Sequence, residues 1–299
     1  MIAADKYIGC FAGLAVGDAF GAPYEGGFIE KLVWKIIGRT ENGRMRYTDD
    51  TQMSLDIATS FLKHGEINQD HLADTFAASY KWSRGYGPAA GKILKKIRAG
   101  SHWSEVNRQK YRDGSLGNGA AMRSPILALC YLENNDLLTD AVFKASEITH
   151  AHPLAIEGAQ LIAFVTVSVL KDISRSEIIT GLLNKNLSKI YYGKLKRCFE
   201  LLETAPVKTR ELGIGITATE SCITAIYFGL GYQNESFEKM LRDIADIGGD
   251  TDTIGAMAGA IWGSANGFKA FESLSRSIED IEKIIKTALA LHEHAYSAL

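Results

Sequence analysis

Two short segments set carboxylates among hydroxyls where helices are expected to begin. One is YTDDTQMSL, residues 47–55, with Thr48, Asp49, Asp50 and Thr51 in a row. The other is IGGDTDTIGAMAGAIWG, residues 247–263, where Asp250 and Asp252 alternate with Thr251 and Thr253 ahead of an apolar run. A helix start welcomes one such residue, because an Asp or Thr oxygen satisfies a free N–H and an acid complements the helix dipole. Capping is therefore the plain reading of either segment alone. It leaves the second acid of each pair unexplained, since an unpaired charge is costly to bury and neighbouring aspartates repel unless a cation lies between them. Four carboxylates and several threonine oxygens, with no cysteine and no local histidine, make a hard, all-oxygen donor set. Such a set suits Mg²⁺ or Mn²⁺ better than zinc or copper, and four carboxylates can neutralise two divalent ions.

Other segments offer complementary chemistry. GDAFGAPYEGG, residues 17–27, carries Glu25 on a glycine-rich loop after a helix and a proline, where an acid is either a surface residue or a mobile group that closes over the metals. GSLGNGAAMR, residues 114–123, places Gly114, Gly117 and Gly119 just before an expected helix, a pattern whose exposed N–H groups can cradle a phosphate or diphosphate and which also makes ordinary tight turns. RGYGPA, residues 84–89, repeats the theme with Gly85 and Gly87. His150 and His152 sit at an expected helix junction, but two histidines without a softer third ligand argue weakly for zinc.

The elements that must position these groups read as helices. Apolar residues recur three and four apart over 5–20, 48–63, 70–83, 88–98, 118–131, 137–149, 153–170, 175–183, 187–202, 216–229, 236–245, 252–266 and 276–296. No run alternates with period two, so no sheet is expected. Gly9, Gly13, Gly17 and Gly21 recur at spacing four, which puts them on one helix face where a second backbone can come close. The 299 residues, with no linker, repeat or low-complexity tract, read as one compact all-α domain over 1–299. A net charge of −2 gives no basic surplus to favour nucleic acid or an anionic membrane. The four dispersed cysteines match no zinc or disulfide pattern, and the first twenty residues lack the basic start of a secretory signal, so a reduced, cytoplasmic setting is expected.

These pieces, taken in order, resemble the ADP-ribosylglycohydrolase family: GCFAGLAVGDAFGAPYEG, YTDDTQMSL, RGYGPA, GSLGNGAAMR, THAHPLAIEGA and GGDTDTIGAMAGAIWG, from about residue 9 to 265. The resemblance implies a single all-α domain with a dinuclear Mg²⁺ or Mn²⁺ site at helix termini, held by Thr48, Asp49 and Asp50 on one side and by Asp250, Asp252 and Thr253 on the other. It implies that Glu25 is the catalytic acid/base or a displaceable ligand. It assigns Gly114, Ser115, Leu116, Gly117 and Asn118 to the diphosphate and distal ribose, Gly85 and Gly87 to another lining segment, His150 to a nucleotide-side contact, and Tyr111 to stacking on adenine. The partner is then an ADP-ribosylated protein or another ADP-ribose conjugate, acted on by a monomer. RGYGPAAGKILKKI and GSLGNGAAMR look like the branch that hydrolyses O-linked ADP-ribose, notably ADP-ribosylserine; arginine-selective members carry an aspartate where Ser115 stands. An arginine-specific hydrolase, a non-catalytic ADP-ribose binder and a two-metal phosphohydrolase releasing AMP stay open as alternatives.

Overall fold

The computed structural model describes residues 2–203 and 209–297. Among them there is no β-strand, only isolated bridges. The helices are α1 Ala4–Gly21, α2 Phe28–Ile37, α3 Asp49–His64, α4 Gln69–Ser79, α5 Pro88–Arg98, α6 Trp103–Val106, α7 Ser124–Cys130 and α8 Asn135–Glu147. They continue with α9 Pro153–Leu170, α10 Arg175–Leu183, α11 Lys189–Glu203, α12 Ala218–Gly231, α13 Phe237–Ile247, α14 Thr251–Asn266, α15 Glu272–Ser275 and α16 Ile281–Tyr296.

α1 and α14 form the centre. Both are apolar on nearly every face, the pattern of a helix enclosed by others. α9 and α12 flank α14, while α3 and α16 cover the other side of α1. The glycine stripe explains the central pair. A Cβ on Gly9, Gly13, Gly17 or Gly21 would stand 2.0–2.3 Å from a carbonyl oxygen of Gly263, Gly259, Gly255 or Thr251 respectively. The two helices therefore run antiparallel in direct backbone contact, and the end of α1 lies beside the start of α14. α9 is long and apolar enough to cross a membrane by composition alone, but two-thirds of it is buried in this core. Cys10, Cys198 and Cys222 are buried and unpaired.

The structure redraws several expected boundaries. The helix expected over 118–131 is a short 3-10 turn, Asn118–Ala120, followed by α7, because Pro125 can sit only in the first turn of a helix. The one expected over 216–229 begins at Ala218, leaving Ile216 in a bend and Thr217 extended and bridged to Gly117 of the glycine loop. That expected over 276–296 is broken at Ile278–Asp280, where Met45 hydrogen-bonds along the chain. α2 was not foreseen: its apolar stripe follows directly on a Gly/Pro loop that obscured it.

Candidate active site

The two acidic segments do begin helices, and capping accounts for little of them. Thr48 is the cap of α3: its Oγ1 accepts from the Asp50 N–H at 3.4 Å and donates to Asp50 Oδ2 at 2.9 Å. A residue from another helix completes that cap. Asp18, fully buried on α1, accepts from the N–H groups of Thr48 and Thr51 and from Thr51 Oγ1 at 2.6 Å. Asp49 and Asp50 are thus left over. At α14, Asp250 occupies the cap position but makes no capping bond; its Oδ2 accepts from Asn118 Nδ2 instead. Asp252 accepts from the Thr253 N–H at 2.8 Å.

The antiparallel α1–α14 contact brings Glu25 to this cluster through the 3-10 turn Ala22–Tyr24. One carboxylate oxygen from each of Glu25, Asp250 and Asp252 lies within 4.8 Å of the others. The electrostatics follow from that crowding. The nearby Asp252 charge, then burial and Asp250, push Glu25 up to about 10. Burial, then neighbouring acids, raises Asp49, Asp50 and Asp250 well above the usual carboxylate range. Burial likewise takes Asp18 to about 7, against the pull of its Thr51 hydrogen bond. A divalent cation fits here for a second reason: Asp50 Oδ1 is buried with no hydrogen-bond partner.

The cluster floors a cavity of about 860 Å³. Its lining includes Glu25, Asp49, Asp250, Asp252 and Thr253 at the acidic end. The 114–118 loop, Gly85, Gly87, Tyr111 and His150 complete it. Thr48 and Asp50 lie behind this surface, buried. Tyr111 is 46% exposed, with Lys110 Nζ over its ring at 5.0 Å from the centroid. Gly114 has φ +87° and abuts Ala151 and His152 so closely that a Cβ would meet their backbone at 2.5 Å. Gly119 packs on His150, whose Cε1 would lie 2.5 Å from a Cβ there.

A sequence profile described as ADP-ribosylglycohydrolase matches residues 1–298. The chain belongs to the ADP-ribosylglycohydrolase family. It is 31% identical to the ADP-ribosylhydrolase ARH3 of Gallus gallus, covering 96% of this chain and 93% of that one. It is 30% identical to the Homo sapiens protein of the same name, with 96% and 93% covered. Among solved structures, an "ADP-ribosylglycohydrolase-related protein complex" shares the fold with a TM-score of 0.73 at 23% identity, covering 98% of both chains. The protein is a glycohydrolase acting on ADP-ribosylated substrates, and its acidic cluster is suited to a metal.

Within this glycohydrolase, two residues of the glycine loop also make contacts inside the protein. Asn118 reaches away from the loop to Asp250 and to Ser221 Oγ, 2.9 Å off, so it ties the loop to the acids. Ser115 Oγ accepts from the Gly117 N–H at 3.3 Å, so its hydroxyl shapes the turn. The part that the 213–217 segment plays in the site escaped sequence reasoning. Its backbone joins the two halves of the site: Asn118 N donates to Ile216 O at 3.1 Å, and Asp250 N to Ile214 O at 2.8 Å. Asp18 escaped too, although an acid at the end of a glycine-striped helix was a visible signal. So did Arg84, which lies buried over the Tyr47 ring, donates to Tyr47 O at 2.6 Å and pairs with Glu279. These contacts brace the chain entering α3.

Proposed function

We propose that this glycohydrolase uses two Mg²⁺ or Mn²⁺ ions to hydrolyse O-linked ADP-ribose conjugates, serine-linked ones foremost. The observation that carries the reading is the position of Glu25. It stands where the large cavity meets a smaller hollow of about 270 Å³, and Glu25, Ile216 and Asp250 line both. The large cavity has the size and the glycine loops for ADP-ribose; the hollow is on hand for the acceptor. Among the described residues, the hollow is lined apart from Glu25 and Asp250 by neutral groups such as Tyr24, Gly215 and Gly249, with Lys31 its one basic residue. A cationic guanidinium leaving group would profit from a charge-assisted carboxylate clamp, and the carboxylates described in the hollow, Glu25 and Asp250, are the ones assigned to acid/base work and to holding metal. A serine oxygen needs no such clamp.

Asp49, Asp50, Asp250 and Asp252, with the oxygens of Thr48 and Thr253, would hold the ions. When bound, such ions neutralise the carboxylates, favour a hydroxide-like water and polarise ribose oxygens. The chain's own groups do the rest. The C1″–O bond of the distal ribose breaks as a water oxygen bonds to C1″, and the charge building on the sugar is spread over an oxocarbenium-like state. Glu25 gives a proton to the leaving serine oxygen or takes one from the water. The 114–119 loop and His150 keep the diphosphate side fixed meanwhile.

The deciding experiment follows free ADP-ribose released from matched peptides carrying serine- or arginine-linked ADP-ribose, with chelated enzyme and after adding back Mg²⁺ or Mn²⁺. Metal-dependent release, faster from serine and abolished in Asp252→Ala, is expected. Preference for arginine would defeat the linkage, activity in chelated enzyme would defeat the metals, and release of AMP would mean that the diphosphate is the bond attacked.

A further inference from the structure

Arg123, Thr149 and His150 form a chain of hydrogen bonds that ends in the large cavity. Arg123 is wholly buried just before α7, with its guanidinium 4.7 Å from the centroid of the Phe76 ring. Its Nη2 donates to Ala145 O at 2.8 Å and to Thr149 Oγ1 at 2.9 Å. Among the described residues Thr149 Oγ1 has one other partner, His150 Nδ1 at 2.8 Å. The proton positions follow from what each group can do. A guanidinium only donates, so Thr149 Oγ1 accepts from Arg123. Among the described residues the single hydroxyl hydrogen has no acceptor other than Nδ1, so Nδ1 accepts it. A neutral imidazole with an accepting Nδ1 carries its proton on Nε2. Nε2 is the nitrogen on the side of the glycine loop, 3.1 Å from a Cβ built on Gly117. Among the described residues no hydrogen bond reaches it.

We propose that Arg123 and Thr149 are positioning residues that lock His150 as its Nε2–H tautomer, a neutral donor aimed at an oxygen of ADP-ribose. The donor role rests on the reading of this cavity as the ADP-ribose site. Burial, then the Arg123 charge, holds the His150 imidazole down at about 3, which agrees with a ring that stays uncharged. An imidazolium would attract a diphosphate more strongly but would stand unpaired beside a buried guanidinium. The relay instead supplies a fixed donor without a second buried charge, and leaves the single cation of the group, Arg123, out of reach of the ligand.

Nitrogen NMR of histidine-labelled enzyme at pH 7 tests this, with the His150 signals assigned by their loss in His150→Gln. The expected spectrum shows a protonated Nε2 and an unprotonated Nδ1, and ADP-ribose shifts the Nε2 resonance. Thr149→Val removes the relay at constant shape; it should mix the tautomers and weaken ADP-ribose binding roughly threefold to tenfold, with kcat little changed. Thr149→Ser should restore both. A proton on Nδ1, an imidazolium, an unchanged spectrum in Thr149→Val, or an Nε2 resonance indifferent to ADP-ribose would each overturn the proposal. The tautomer is read without ligand and hydrolysis without labelled histidine, so this inference and the proposed function fail separately.

Discussion

Gly17 and Gly255 meet backbone to backbone: a Cβ on Gly17 would stand 2.0 Å from the Gly255 carbonyl oxygen, and one on Gly255 would stand 2.6 Å from that of Gly17. Neither obstacle is a side chain that can swing aside. Gly17→Ala must push α1 away from α14, and overpacking of this kind costs about 1–3 kcal/mol or more. The same shift parts Glu25 from Asp252, so metal affinity should fall with stability. Urea unfolding and metal titration measure the two. Gly181→Ala on α10, where a Cβ would meet nothing within 4 Å, is the control and should be neutral or slightly stabilising. Equal behaviour of the two variants would mean that the central helices tolerate separation.

The pull of Asp252 on Glu25 gives metal binding a pH dependence. Without metal, Glu25 is raised from its ordinary value to about 10, so it is protonated at neutral pH. A raised carboxylate contributes stability that is fully present below its unfolded value and is lost as pH climbs through the folded one. A cation favours the ionised form, so binding should release protons and tighten as pH rises. Titrating the chelated enzyme with Mn²⁺ in buffers of different ionisation enthalpy counts those protons. Glu25→Gln should release about one fewer. Its turnover should fall by roughly two to four orders of magnitude while ADP-ribose still binds. Unchanged proton release would place Glu25 outside the metal cluster.

Asn118 and Gly117 are neighbours on one loop with different attachments, and calorimetry should separate them. Gly117→Val sets bulk against His150 and is expected to weaken ADP-ribose binding with metal binding intact. Asn118→Ala removes the donor on Asp250, so it should weaken both. Parallel losses in the two variants would mean that the loop acts as one support for the acids.

Asp56 reports on stability away from the cluster. It is buried on α3, accepts from Ser79 Oγ and Gln52 Nε2, and is pushed by burial to about 7. Its contribution is therefore greatest below about pH 4, the ordinary range for aspartate, and is lost as the pH rises to about 7. Asp56→Asn stays neutral throughout. Thermal unfolding of the two proteins should show the variant gaining on the wild type between pH 5 and pH 8. A constant difference across that range would mean that Asp56 is ionised in the folded protein at both ends.

The helical class, the glycine stripe and the acidic helix starts were all legible in the sequence, because each is a local pattern of residue type and spacing. Capping could be separated from metal holding only with coordinates. Which oxygen Thr48 gives to Asp50, and that Asp250 makes no capping bond at all, depends on side-chain direction. The parts played by Asp18 and the 213–217 segment stayed hidden for another reason: they act on residues 30 or more positions away, and nothing in their own neighbourhood signals a partner. Asn118 was legible as part of a loop but not as a hydrogen-bond donor to an acid 132 positions on.

The backbone contact between α1 and α14 also decides when during folding the enzyme becomes an enzyme. Thr251 Oγ1 donates to the Gly21 carbonyl across a sequence separation of 230 residues. Closing so long a loop carries an entropy cost that only packing of the intervening helices can offset, and contacts of this span make folding slow. The carboxylates that crowd one another at the join add repulsion until a cation arrives, so metal should act as a latch on the finished fold. Chains still short of α14 lack Asp252 and Thr253, and chains opened at that seam hold them apart from Glu25. Hydrolytic competence is in this way confined to molecules whose first and fourteenth helices have already met.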